Sequence, residues 1–155
     1  MIALAAYQPD FPANLGLLVR LAACMGVPLH VIEPCGFPFS LKAVRMKALD
    51  YGEMAEIRRH LDWNRFLEAR RGQGRLILLT TAAETPLFEC RFRPGDCLLL
   101  GRESCGVPTE VAARADQALR IPMPGGGRSL NIALAAAMAV SEAWRQLSHS
   151  ASGTK

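Results

Sequence analysis

The chain has 155 residues, half of them hydrophobic, five cysteines and a formal net charge of +4. That length suits one domain that buries its own core, and that apolar content excludes an intrinsically disordered chain. The cysteines (Cys24, Cys35, Cys90, Cys97 and Cys105) are odd in number, irregularly spaced and form no C-x-x-C, which argues against a disulfide framework or a zinc site and for reduced thiols in the cytosol.

Taken in chain order, residues 2–7 read as a buried strand. Asn14 is placed to cap a helix running to Met25, with Gly26 as its stop. Residues 29–32 form a second strand, closed by Glu33-Pro34. Ser40 caps a short helix to Lys47, residues 54–58 form a weak strand, and Asp62 caps a helix to Arg70, ended by Gly72-Gln73-Gly74. Residues 76–80 and 97–100 are strong strands. Pro108 suits the first turn of a short helix. Residues 118–121 make a last short strand, and Ser129 caps a long helix to Leu147. The small, polar tail 148–155 is expected to fray.

Alternation of this kind predicts an α/β fold: a mostly parallel sheet with helices on both faces, in one domain over residues 1–155. The apolar run 132–140 is too short to span a bilayer, and the N-terminus lacks the basic stretch of a signal peptide before Asp10 and Pro12. The expectation is a cytoplasmic protein without a membrane partner.

The charge is uneven. Residues 41–75 hold nine basic side chains against five acidic ones, a surplus of four, while residues 1–40 net −1 and residues 76–155 net +1. Arg58-Arg59-His60 and Arg70-Arg71 with Arg75 are the densest parts. Such a run is either a solvated face or a phosphate-facing patch.

Ligands in open α/β sheets bind beyond the carboxyl ends of strands. Three loops at such ends are unusual: residues 9–16, leading to Arg20; residues 101–108; and residues 121–131. Gly101 and Gly106 have P-loop spacing, but Val107-Pro108 stands where Lys and Ser or Thr are needed. Gly125-Gly126-Gly127 suggests a dinucleotide turn, but the third glycine of that motif falls on Leu130. Cys105 has no histidine near it in sequence, since His30, His60 and His149 are scattered, and G-x-S-x-G is absent. What remains is a site rich in backbone groups, with Arg20, Glu103, Arg128, Ser129 and Asn131 as its polar side chains. Such a site suits chemistry whose activation a cofactor carries, the protein supplying alignment and electrostatics.

At these loops the chain resembles the SPOUT methyltransferases, and among them the bacterial tRNA ribose 2′-O-methyltransferases of the wobble nucleotide. The resemblance is carried by Asn14-Leu15-Gly16 through Arg20, by Gly101-Arg102-Glu103-Ser104-Cys105-Gly106-Val107-Pro108, and by Ile121-Pro122-Met123 through Ser129-Leu130-Asn131. His30-Val31-Ile32-Glu33-Pro34, Ala48-Leu49-Asp50-Tyr51 and Glu142-Ala143-Trp144-Arg145-Gln146-Leu147 extend it over nearly the whole chain. Three motifs in order make a signal that none makes alone.

The resemblance implies a C-terminal deep trefoil knot, against the general rarity of knots, and S-adenosylmethionine as cofactor. Matched position by position, it implies cofactor contacts at Leu79, Gly101, Ile121 and Ser129, with Met123, Gly106 and Leu130 beside them. It implies catalytic or orienting roles for Arg20, Asn14, Glu103 and Asn131, a homodimer with the site at its interface, tRNA as substrate and no metal. An rRNA substrate, a non-catalytic RNA-binding module and a nicotinamide enzyme remain as alternatives. The chain departs from the family at Leu15 and Leu17, and at Arg102 and Cys105, where proline and arginine are expected of the enterobacterial form; the last two bear on how RNA phosphate would be gripped.

Overall fold

The computed structural model describes residues 1–47, 51 and 53–150. Six strands, β1 (Ala3–Tyr7), β2 (Leu29–Ile32), β3 (Ile57–His60), β4 (Leu76–Leu79), β5 (Cys97–Leu100) and β6 (Gln117–Leu119), form one sheet in the order β3-β2-β1-β5-β4-β6. Every pairing is parallel; Ala5, for example, lies between His30 and Leu99. Parallel strands are buried on both faces, so β1 and β5 read as unbroken apolar runs rather than alternating ones.

Among the described residues five α-helices accompany the sheet: α1 (Pro12–Met25), α2 (Leu41–Lys47), α3 (Trp63–Ala69), α4 (Thr109–Ala112) and α5 (Ile132–Ser150). On one face Leu4, Ala6, Leu98 and Leu100 pack with Leu15, Leu18 and Val19 of α1 and with Ala136, Ala139, Val140 and Ala143 of α5. Those α5 positions recur at helical spacing, which gives the helix its apolar stripe. On the other face Ala5, Tyr7, Leu78 and Leu99 pack with Phe66 of α3 and Val111 of α4. Phe66 is fully buried, which stabilises the fold by about 2–3 kcal/mol. The expected parallel sheet with helices on both faces is therefore what forms.

Several boundaries differ from those expected. α1 begins at Pro12, with Phe11 in the capping position and no side-chain cap, so Asn14 sits inside the first turn. Proline lacks the N–H that a cap would satisfy and its φ suits helix entry, which leaves the Asn14 side chain for other work. β3 covers Ile57–His60 rather than residues 54–58. It is an edge strand, where the polar pair Arg58-Arg59 is tolerated, and pairing Ile32 with His60 sets its register. β6 stops at Leu119 because Arg120 leaves the ladder: its N–H donates to Thr85 and its carbonyl accepts from Leu87. β4 ends at Leu79, not Thr80, and Pro108 immediately precedes α4. α5 starts at Ile132, not after Ser129; Asn131 accepts the Ala133 N–H at 2.8 Å and caps it. α5 continues to Ser150, so residues 148–150 are helical rather than frayed. The expected tail 151–155 and the motif residues Ala48, Leu49 and Asp50 lie outside the described residues. The Asp62 cap of α3, accepting the Arg65 N–H at 2.8 Å, and the Ser40 contact to Ala43 are as expected.

Candidate functional site

A cavity of about 470 Å³ opens at the carboxyl ends of β4, β5 and β6. That is within the range of small-molecule and cofactor pockets. Leu78, Leu79, Leu100, Leu119, Ile121, Met123, Leu130, Ile132 and Ala135 give it apolar walls; Asn14, Thr80, Thr81, Arg102, Glu103, Ser129 and Asn131 add polar groups. The three loops singled out in the sequence meet here. Asn14, Leu79, Gly101, Glu103, Gly106, Ile121, Met123, Ser129, Leu130 and Asn131 all line it. Thr80, Thr81 and Ala135 also line it, and no motif marks them. Their only signal in the sequence is adjacency, the threonines following β4 directly and Ala135 lying one turn into α5.

Hydrogen bonds tie the loops together. Asn14 Nδ2 donates to Glu103 Oε1 at 3.1 Å, and Asn131 Nδ2 donates to Asn14 Oδ1 at 2.9 Å. The polarity is forced: an ionised carboxylate only accepts, so Asn14 must turn its NH₂ to Glu103 and its carbonyl to Asn131. The other Glu103 oxygen accepts the Asp10 N–H at 2.7 Å. One relay thus links the start of α1, the loop after β5 and the start of α5.

The loop after β5 closes on itself. Arg102 and Gly106 exchange two backbone hydrogen bonds at 2.9 Å, and Gly106 has φ +70°, a left-handed conformation that glycine adopts without strain. A Cβ on Gly101 would lie 2.7 Å from the Gly106 carbonyl carbon. Both glycines are therefore needed for the cavity wall to form as it does.

Arg20 is not in the cavity. It lies on the exposed side of α1, with its guanidinium 4.8 Å from the centre of the Tyr51 ring. The fold uses part of the basic middle segment in ion pairs. Among its described residues Arg58 pairs with Glu56, Arg59 with Glu33, Arg65 with Glu68 and Arg75 with Asp96. Arg70 is buried, donates to the carbonyls of Gly74 and Arg75 and stacks on Phe66. Glu56 and Glu68 belong to the segment's own five acids, and Lys42 and Arg71 are exposed, so part of the surplus positive charge stays on the surface. A second hollow, of about 540 Å³, is lined by Arg70, Arg71, Arg114, Glu68 and Asp116 among others, but contains none of the motif residues.

Other chemistries lack their parts. His30 and His60 are buried, hydrogen-bonded to each other at 2.8 Å, stacked on each other and T-shaped against Phe66, so neither serves Cys105. Burial pushes the Cys97 and Cys35 thiols up to about 12. Among the described residues no group of three or more His, Cys, Asp or Glu is placed to hold a metal ion, and no helix is long and apolar enough to cross a membrane.

Comparison with known proteins agrees with this geometry. The profile of the SpoU rRNA Methylase family matches residues 1–141. A tRNA (cytidine(34)-2′-O)-methyltransferase of Ancylobacter novellus is 47% identical over 146 residues, covering 94% of this chain and 92% of the relative. Among solved structures, one described as "Structural insights into the 2-OH methylation of C/U34 on tRNA" superposes with a TM-score of 0.87 at 45% identity, covering 96% of this chain and 91% of that one. An rRNA methyltransferase from Sinorhizobium meliloti, solved with AdoMet bound, superposes at 0.83 and 28% identity, covering 94% of this chain and 56% of that one.

Proposed function

The chain belongs to the SpoU rRNA methylase family, and from that premise we propose that it transfers a methyl group from S-adenosylmethionine to the ribose 2′-hydroxyl of nucleotide 34, a cytidine or uridine, of tRNA. The protein is an RNA methyltransferase. One observation carries the finer reading: near full-length identity to a relative that bears this activity in its name, in a chain whose three motif loops converge on one cavity of cofactor size.

The cavity suits the cofactor. Its apolar walls fit a nucleoside face, and Met123 and Leu130 would line the adenine slot. Gly101 and Gly106, free of side chains, would let the backbone approach it, and Leu79, Ile121 and Ser129 would complete the contacts. S-adenosylmethionine supplies a methyl group already activated by its positive sulfur. The protein's work is then placement. Glu103, Asn14 and Asn131 hold the loops and the ribose in register through the relay. Arg20 orients and polarises the 2′-hydroxyl. A guanidinium stays protonated at neutral pH, so it acts as a hydrogen-bond donor and positive charge rather than as the base.

Because Arg20 lies outside its own cavity, the reading includes a homodimer in which Arg20 of one protomer faces its partner's cofactor. Exposed Leu17 on α1 and exposed Leu134 and Met138 on α5, two helices that pack together, support an apolar partner face. The reading also includes a single methyltransferase domain over the whole chain, a deep trefoil knot in its C-terminal part, and a cytoplasmic protein that needs no metal. The test is transfer of labelled methyl from S-adenosylmethionine to tRNA lacking the modification. The Arg20→Ala variant is expected to keep cofactor binding and lose at least about a hundredfold in methylation. Absence of label with wild-type protein on every tRNA offered sinks the reading.

A further inference from the structure

Arg102 stands where the family resemblance leads to an expectation of proline, and the proposed chemistry leaves it without a task. Its position in the fold supplies one. Arg102 Nε donates to Asp10 Oδ1 at 3.0 Å, and its terminal nitrogen Nη2 donates to the same oxygen. The second Asp10 oxygen accepts the Ser104 N–H at 2.9 Å. In the opposite direction, the Asp10 N–H donates to Glu103 at 2.7 Å. So Asp10, in the loop after β1, grips three consecutive residues of the loop after β5. The Arg102 guanidinium and then the Ser104 contacts hold the Asp10 carboxyl down at about 2, so it stays ionised at working pH.

Asp10 is itself fixed from behind. The Gly36 N–H donates to Pro9 at 2.9 Å, and a Cβ on Gly36 would lie 2.9 Å from the Asp10 Cα and carbonyl oxygen. The loop after β2 therefore packs flush against the Asp10 backbone. The Arg102 side chain lines the cavity and is partly exposed, with Nε and Nη2 turned to Asp10.

We propose that Asp10 and Arg102 form a clasp that positions the 101–106 loop, and through it Glu103 and the cofactor-facing backbone, so that Arg102 is a positioning residue and not a contact to RNA phosphate. The clasp acts on the loop whether or not a ligand is bound; its effect on methylation rests on the function proposed above. Small displacements of a loop that places reacting groups cost large factors in rate, and a guanidinium whose charge a carboxylate already neutralises releases few counterions from RNA.

The experiment compares wild type with Asp10→Asn, Arg102→Met, Arg102→Lys and the Asp10→Asn/Arg102→Met pair. Hydrogen exchange is followed at the amides of residues 101–106, and calorimetry measures S-adenosylmethionine affinity. Asp10→Asn and Arg102→Met are each expected to speed exchange at Ser104 and Gly106 at least about tenfold and to weaken cofactor binding about tenfold or more. The pair should be no worse than either single change, since both remove one interaction, and Arg102→Lys should restore part of both. The KM for tRNA and its salt dependence should not move. Unchanged exchange in Arg102→Met overturns the clasp. So does a raised tRNA KM with a shallower salt slope in Arg102→Met alone, because that is the signature of a lost phosphate contact. Failure of wild type to bind S-adenosylmethionine would instead count against the proposed function, while the exchange measurements would still decide the clasp.

Discussion

Asn131 donates its side-chain amide to Asn14 at 2.9 Å across 117 positions of sequence, and Asn14 passes the same polarity on to Glu103. Neither asparagine can reverse without placing acceptor against acceptor. Asn14→Asp should therefore do more harm than its size suggests, because it sets two carboxylates side by side. Methylation by that variant is expected to fall at least about tenfold at pH 8 and to recover in part as pH is lowered and the two carboxylates share a proton. A pH–rate profile parallel to that of wild type would show that the relay does not matter.

Gly101→Ala tests the close approach of backbone in the cavity wall. Its Cβ would meet the Gly106 carbonyl carbon at 2.7 Å, so the 101–106 turn must open. Overpacking of this kind costs about 1–3 kcal/mol. The expected result is a lowered melting temperature together with cofactor binding weakened beyond calorimetric detection. An Ala variant that binds S-adenosylmethionine like wild type would mean that the turn yields more easily than its geometry implies.

The buried His30–His60 pair predicts a pH dependence of stability. Burial, then the charge of His60, pushes His30 down to about 3, and burial and then Arg58 lower His60 as well. The folded-state values are depressed, so the contribution is fully present above the unfolded value near 6.5 and is lost as pH falls toward the folded values. Between about pH 6.5 and 5 the unfolded chain binds more protons, and stability should fall by about 1.4 kcal/mol per pH unit for each histidine that is unprotonated only in the fold. Denaturant midpoints at pH 7, 6 and 5 measure this. His60→Gln should reduce the slope by about half; an unchanged slope would assign the effect elsewhere.

Much of the fold is legible in the amino-acid sequence. The parallel sheet follows from apolar runs spaced by amphipathic stretches, and the Asp62 cap of α3 from one residue type at one place. Two kinds of feature are not legible. β3 is displaced from its expected position because Arg58 and Arg59 disguise an edge strand whose register is set by its neighbour β2. Asn14 and Ser129 read as caps, because local preference cannot know that Pro12 begins α1 and Asn131 caps α5, which leaves Asn14 to reach Glu103. At the candidate site the backbone-rich loops are visible as motifs. The Asp10–Arg102 pair, 92 positions apart, is not, since nothing local joins two such residues.

The exposed apolar side chains of α5 make the proposed homodimer testable without RNA. Leu134 and Met138 are one turn apart and exposed, at 59% and 38%. Met138→Glu and Leu134→Lys are expected to leave the fold's melting curve cooperative and S-adenosylmethionine binding weakened, and to shift the mass seen by light scattering from two chains to one. A variant that remains dimeric would place the interface on another face.

The central claim is methyl transfer to one hydroxyl of one nucleotide. Its most direct measurement is to incubate the protein with S-adenosylmethionine and total tRNA from cells lacking this modification, then map the product by nuclease digestion and mass spectrometry. The account predicts a single added methyl on the ribose of cytidine or uridine 34. A methyl on a base, on another nucleotide, or on ribosomal RNA alone would contradict it.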